Sequence, residues 1–349
     1  MARLYVGTYT QPEDHVDGRG EGIYCFDIDE QTFAVTPRSI WRDITNPSFL
    51  ALNADATRLY AVSEVADEFG RLFAFAVDEE LTLLNDQSTL GAAPCYVAVY
   101  DRHVFVANYL GGSVMILPIL SGGHLAPASD HKTHIGSSVN ELRQKRSHPH
   151  AIVLDPEHQY ALAPDLGTDR VVPYQYDSTQ GRLIPMAAAL DVHAGAGPRH
   201  LTFSACGQFA YLMNELDSTI MVCSYNDGAL TTIQTVAALP KSFTGTPSGA
   251  DIHVHPSGHF LYASLRDIHC ILRMRIDQSS GRLVGKAYAH VLGATPRNFA
   301  IDPKGRYLVV ANQDSDTLVV MAIDPDTGLL TLAGPPTTVP SPACVAIGP

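Results

Sequence analysis

Seven segments of this chain open on one pattern, and that repetition limits the fold more than any other feature. Residues 198–215 (PRHLTFSACGQFAYLMNE), 250–266 (ADIHVHPSGHFLYASLR) and 296–313 (PRNFAIDPKGRYLVVANQ) are copies of it, and it opens again at Pro47, Pro94, Pro149 and Pro342. Successive copies start 46 to 55 residues apart, a blade-sized period. Within a copy, two alternating apolar runs flank a tight turn. A third and a fourth run follow, parted by Asp/Gly turns such as DSTQGRL (177–183), DQSSGRL (277–283) and DPDTGLL (324–330). Such alternation, with scarcely any helical periodicity, predicts four-stranded antiparallel sheets. The last copy, 342–347, supplies a first strand alone, while LYVGTYT, GIYCFDID and FAVTPRSI near the N-terminus supply a second, third and fourth. Joined in one sheet, they close a ring and remove the edges of an open array. The expected fold is all-β: one seven-bladed β-propeller over 1–349, with blades at about 342–349 plus 1–45, 46–93, 94–148, 149–197, 198–249, 250–295 and 296–341.

Composition narrows the partners. A formal net charge of -13 sets the mean field against nucleic acid and anionic membrane surfaces, while a locally basic pocket could still take a small anion. Met1 runs straight into the alternating segment Arg3 to Thr8, and no apolar run approaches 18 residues, so a soluble, cytoplasmic chain is expected, a monomer or weak homodimer. The cysteines (Cys25, Cys95, Cys206, Cys223, Cys270, Cys344) form no C-x-x-C pair, and are expected to be reduced, buried and apolar in role.

Aligning the repeats turns scattered polar residues into two columns. The residue after each repeat start reads Ser48, Cys95, His150, Arg199, Asp251, Arg297, Ala343. The residue closing each second strand reads Tyr9, Glu64, Tyr109, Asp165, Glu215, Arg266, Gln313. An out-and-back hairpin brings both columns to one rim of the central channel. Opposite charges crowded at a low-dielectric mouth are costly unless paired or used on a ligand, which points to a site over the blades from 149 to 341.

GAGPRHLTFS (195–204), MNELDSTI (213–220), ADIHVHPSGHFLYASLR and TPRNFAIDPKGRYL (295–308), with LYVGTYT, HPHAIVLDP and PDLGTDRV elsewhere, resemble the seven-bladed propeller lactonases across nearly the whole chain. The best-known activity of that family is 6-phosphogluconolactonase, and it also includes the fungal carboxymuconate cyclase. The resemblance implies an anionic sugar lactone as substrate, no cofactor, and a catalytic set at His150, Arg199, Glu215 and Arg266. In lactone hydrolysis Glu215 or His150 would take a proton from water, and the arginines would hold the oxyanion. A phosphate would need a further cation. Arg297 is the first candidate, and the second is the polar insert 129–147, which carries Lys132, Arg143, Lys145 and Arg146 ahead of His148 and is either a lid or a solvated excursion.

Asp165 and Asp251 are expected to orient arginines or to form structural ion pairs, and His200 to pack on the opposite face of its strand from Arg199. Tyr9 and Tyr109 could contact a sugar. The pairs His148/His150 and His253/His255 each share a strand face, yet no carboxylate stands at ligand spacing, so no metal is expected. A lactonizing cyclase is an alternative using the same residues. A non-catalytic interaction propeller is the other, although the single Trp41 is followed by Arg and leaves no Trp-Asp repeat.

Overall fold

A computed structural model describes residues 1–66, 70–187 and 189–348. Seven antiparallel sheets stand around a channel, each with its first strand innermost, and the first strands of most neighbouring blades lie against one another. In the fifth blade, strands Pro198–Phe203, Phe209–Asn214, Thr219–Asn226 and Ala229–Ala237 run outward in that order.

The Asp/Gly turns show how local sequence becomes packing. Asp177, Asp277 and Asp324 each use Oδ1 to accept from two backbone N–H groups of their own turn. Gly281 and Gly328 then sit at φ of +68° and +66°, where a side chain is strained. Their carbonyls accept hydrogen bonds from the buried hydroxyls of Tyr211 and Tyr262, one blade back, at 3.0 and 2.8 Å. Each turn is thereby docked on the preceding sheet.

Closure is visible in the composite blade, where Pro342–Gly348 pairs with Ala2–Thr8, followed by Ile23–Ile28 and Val35–Trp41. It is visible again in the core. Seven apolar clusters lie between sheets, and one of them sets Leu4 and Val6 of the composite blade against Val309 and Tyr307 of the last. An open row of seven sheets would have six such interfaces.

Most innermost strands begin with a β-bulge. In the ladders Pro94, Pro198 and Pro296 pair with Asn108, Asn214 and Asn312, and the register then skips one residue. The skipped residues are Cys95, Arg199 and Arg297. A bulge adds an unpaired residue and re-aims its side chain, which sends these groups toward the channel mouth.

Two assignments made from the sequence change on this register. Pro149 pairs with Asp165, so Asp165 takes the position of Asn214, and Leu166 takes that of Glu215. Gly249 pairs with Leu265, so the sixth blade opens at Gly249; Ala250 takes the position of Arg199, and Asp251 that of His200. Both aspartates were placed one residue out, and one residue reverses the face of a strand. Two further corrections concern the surface. Cys206 is exposed while the other five cysteines are buried, all with free thiols. Asp130–Thr133, assigned to the insert, is the fourth strand of its blade.

Removing residues 342–349 strips the composite blade of its innermost strand and buries Ala343, Cys344 and Val345 no longer. The shortened chain is expected to lose on the order of 5 kcal/mol of apolar burial alone and to aggregate through the bared edge of Ala2–Thr8. Size-exclusion chromatography with thermal unfolding checks this; a monomer melting within a few degrees of the full chain would contradict it.

Candidate active site

One mouth of the channel opens into a cleft of about 450 Å³ lined by Glu215, Arg266, Arg297, His148, His150 and Tyr109, among others. That volume suits a small-molecule ligand. Arg199 lies beneath it, on the floor of the channel beside Glu64, Cys95 and Arg297.

The buried Glu215 carboxylate is the hub. Its Oε2 is 2.9 Å from Arg199 Nε and 3.2 Å from Arg266 Nη2, and its Oε1 accepts from Arg143 Nη2 at 2.7 Å. Burial by itself would raise the Glu215 pKa, but the Arg266, Arg143 and Arg199 charges outweigh it and hold the carboxyl well below its ordinary value. Burial, and then repulsion by Arg266, lowers Arg199 to about 10. Two backbone carbonyls of the sixth blade's bulge fix the arginines: Arg199 Nη1 donates to Ala250 at 2.8 Å, and Arg266 Nη2 donates to Gly249 at 3.0 Å. Arg199 Nε thus faces the Glu215 carboxylate, whereas among the described residues the buried Nε–H of Arg266 has no hydrogen-bond acceptor. A buried donor of that kind calls for a functional explanation.

Arg143 comes from the part of the insert that follows the fourth strand. It crosses to Glu215 and also donates to the Tyr109 hydroxyl at 3.0 Å, so this segment borders the cleft. Lys132 instead pairs with Asp130 on its own strand, and Lys145 and Arg146 are exposed and do not line the cleft. Arg297 stacks over the Tyr9 ring, 5.3 Å from its centroid, and Tyr9 donates its hydroxyl to Glu64 at 2.9 Å. No carboxylate among the described residues lies within ion-pair distance of Arg297.

The histidines divide by environment. His148 stacks on Tyr109 with centroids 4.4 Å apart, and its Nδ1 is 2.9 Å from the Tyr109 carbonyl. A carbonyl only accepts, so Nδ1 carries the proton, and Nε2 is left with its lone pair and no partner among the described residues. Burial lowers the His148 pKa, keeping the ring neutral near pH 7. His150 packs edge-on against Tyr109 and His200, its Nδ1 3.7 Å from Cys95 Sγ, and burial with the Arg199 charge holds it well below 6.5.

His150, Arg199, Glu215, Arg266, Arg297, Arg143 and His148 are therefore gathered at one mouth. Asp165 is not among them. It accepts from His134 Nδ1, Ser147 Oγ and the backbone N–H groups of His148 and Gly167, and so shapes the loop that carries His148. Asp251 faces His200 and His253 deeper in the channel. Sequence reasoning set Glu64 in the same column as Glu215 without giving it a role, and passed over His15 on the first loop, which lines the cleft edge-on to Tyr9. No group of three or more His, Cys, Asp or Glu side chains placed to hold a metal occurs among the described residues.

Folded His200 is held at about 4, by burial first and Arg199 second, and His148 and His150 are also lowered. His253 is the exception: burial opposes its charged form, but Asp251 outweighs that and raises its pKa. Between about pH 6.5 and 4 the unfolded chain thus binds more protons than the folded one, and stability falls as pH drops. The depressed carboxyls of Glu215 and Asp251 extend the loss to lower pH. The thermal midpoint is expected to fall by at least about 5 °C from pH 7 to pH 4.5. A midpoint unchanged over that interval by calorimetry would contradict these buried neutral imidazoles.

With this geometry in hand, comparison with known proteins is informative. Residues 3–347 match the family described as Lactonase, 7-bladed beta-propeller. The 6-phosphogluconolactonase of Bacillus subtilis is 36% identical over 348 residues, covering 98% of this chain and 97% of that protein. One of Formosa agariphila is 32% identical over 337 residues, covering 94% of each. Among solved structures, a periplasmic gluconolactonase of Pseudomonas aeruginosa superposes with a TM-score of 0.92 at 34% identity, covering 100% of this chain and 99% of that one.

Proposed function

Because the chain belongs to the seven-bladed β-propeller lactonase family, we propose that it hydrolyses a phosphorylated sugar lactone, 6-phosphogluconolactone, to the open acid. The observation that carries this reading is the division of labour among the arginines. Three surround Glu215, while Arg297 stands apart at the cleft with no carboxylate within ion-pair distance among the described residues. A sugar phosphate needs one cation for its charged end and others for charge that develops at the carbonyl.

In the proposed reaction the lactone carbonyl lies beside Arg199 and Arg266, whose guanidinium groups hold the developing oxyanion, Arg266 through an Nε–H with no acceptor among the described residues. Water attacks the carbonyl carbon, the ring C–O bond breaks, and the departing oxygen leaves as the sugar hydroxyl, taking up the proton that the base has drawn from the water. The water's proton needs a base. Glu215 is poorly suited, being held ionised by three guanidinium groups well below the range where it would accept a proton. His148 suits better. It is neutral, its tautomer is set by the Tyr109 carbonyl, and its Nε2 has no partner among the described residues. Glu215 then keeps the arginines assembled, and Arg297 anchors the phosphate.

Loss of 6-phosphoglucono-δ-lactone followed by NMR, with unphosphorylated gluconolactone alongside, tests this. Arg199→Ala is expected to lower kcat by about 10²- to 10³-fold, Glu215→Gln to remove most activity, and His148→Gln to lower kcat on the order of 10²-fold with KM little changed. Arg297→Ala is expected to raise KM for the phosphorylated lactone alone. An equal KM change on both lactones would sink the phosphate assignment, and wild-type rates equal to spontaneous hydrolysis on both would sink the hydrolase itself.

A further inference from the structure

Below the cleft, a second set of polar side chains spans the channel. At the ladder position just inside the bulge, the fifth, sixth and seventh blades carry His200, Asp251 and Asn298. Arg199 Nη1 is 3.4 Å from His200 Nε2, and His200 Nδ1 is 2.7 Å from Asp251 Oδ1. Asp251 Oδ2 accepts from Asn298 Nδ2 at 2.6 Å and faces His253 Nε2 at 2.9 Å. The Asn298 carbonyl in turn accepts from the Val345 N–H of the composite blade at 2.8 Å. His200, Asp251 and Asn298 are buried and, with the His253 side chain, which is 41% exposed, border a separate cavity of about 280 Å³ walled also by Phe49, Tyr96, Phe203 and Phe299.

We propose that His200 and Asp251 are positioning residues that set the plane of the Arg199 guanidinium from beneath, with His253 and Asn298 bracing Asp251. The inference rests on the reading of Arg199 as a donor to the reacting carbonyl. Its logic is a count of protons. Arg199 Nη1 carries two hydrogens, and two acceptors stand beside it, the Ala250 carbonyl and His200 Nε2. With both engaged, the guanidinium cannot turn, and its Nε edge stays directed at Glu215 Oε2, 2.9 Å away. His200 Nε2 accepts only if the imidazole is neutral with its proton on Nδ1. The Asp251 carboxylate, which only accepts, imposes that tautomer. Burial and the Arg199 charge keep His200 neutral, and Asp251 is held ionised by its histidine partners despite its burial.

An asparagine at position 251 can donate to Nδ1, moving the imidazole proton to Nε2 and turning an N–H toward an N–H. Misplacement of a catalytic group on this scale costs on the order of 10²-fold in rate. The experiment therefore uses Asp251→Asn, His200→Leu and His200→Gln, the last of which keeps an acceptor oxygen near the place of Nε2. Steady-state kinetics on 6-phosphoglucono-δ-lactone are combined with nitrogen-15 NMR of the histidine rings, which reports the tautomer whether or not lactone is turned over. The expected result is an Nδ1–H tautomer for His200 in the wild type, shifted to Nε2–H in Asp251→Asn. The kcat of Asp251→Asn and of His200→Leu is expected to fall by about 10²-fold with KM changed less than threefold, and His200→Gln to recover at least tenfold over His200→Leu. An Nε2–H or doubly protonated His200 at pH 7 in the wild type would overturn the proposal. So would an active wild type, crippled by Arg199→Ala, whose Asp251→Asn variant keeps kcat within twofold. A wild type without lactonase activity but with the Nδ1–H tautomer would leave this arrangement standing and remove the reaction it serves.

Discussion

Three guanidinium groups can share one small cleft only with a countercharge among them, and Glu215 is that charge. Arg199, Arg266 and Arg143 reach it from the bulge of one strand, the end of another and the loop before His148. Each would repel the others at these separations, in surroundings where water screens poorly. The carboxylate makes the cluster affordable, and the bulge carbonyls of Gly249 and Ala250 give it direction. Buried ion clusters seldom add net stability, since removing two charges from water costs about as much as their attraction returns. Its value lies in holding donors in place before a substrate arrives.

The ring itself was legible in the sequence because a strand repeat is a periodic signal, and seven starts with matching turns admit few arrangements. The ionic residues at the mouth were legible for the same reason: Arg199, Glu215, Arg266 and Arg297 each fall at a fixed offset from a proline or from the end of a second strand. Asp165 and Asp251 were not. Their blades lack the cue the others carry. The sixth opens on Gly249, with no proline to mark the start, and the fourth has Asp165 where the third, fifth and seventh have asparagine, so a polar residue at the strand's end resembles a rim residue. A slip of one position is invisible in composition and decisive in space. Side-chain reach was equally hidden. Nothing in the spacing of Arg143 from Glu215, 72 positions along the chain, announces a contact of 2.7 Å.

The channel thus holds two levels joined at Arg199. Above, charge faces a cleft open to a ligand. Below, His200, Asp251 and Asn298 tie together the innermost strands of three blades, and Val345 ties in a fourth. The lower level uses neutral and charged partners in strict alternation of donor and acceptor, which a rigid wall of first strands permits and a flexible loop would not. Rigidity of the scaffold and precision of the site are here the same property.

The composite blade has a consequence for biogenesis. During synthesis the strand Ala2–Thr8 is made before the other six blades and its inner neighbour Pro342–Gly348 after them, so this sheet waits for a strand made much later than its own first residues. Until Pro342–Gly348 is made, the nascent chain carries Ala2–Thr8 as a bared strand, and Asn298 lacks the Val345 N–H that completes its bonding. The lower level of the channel is accordingly completed only when that strand docks against Ala2–Thr8.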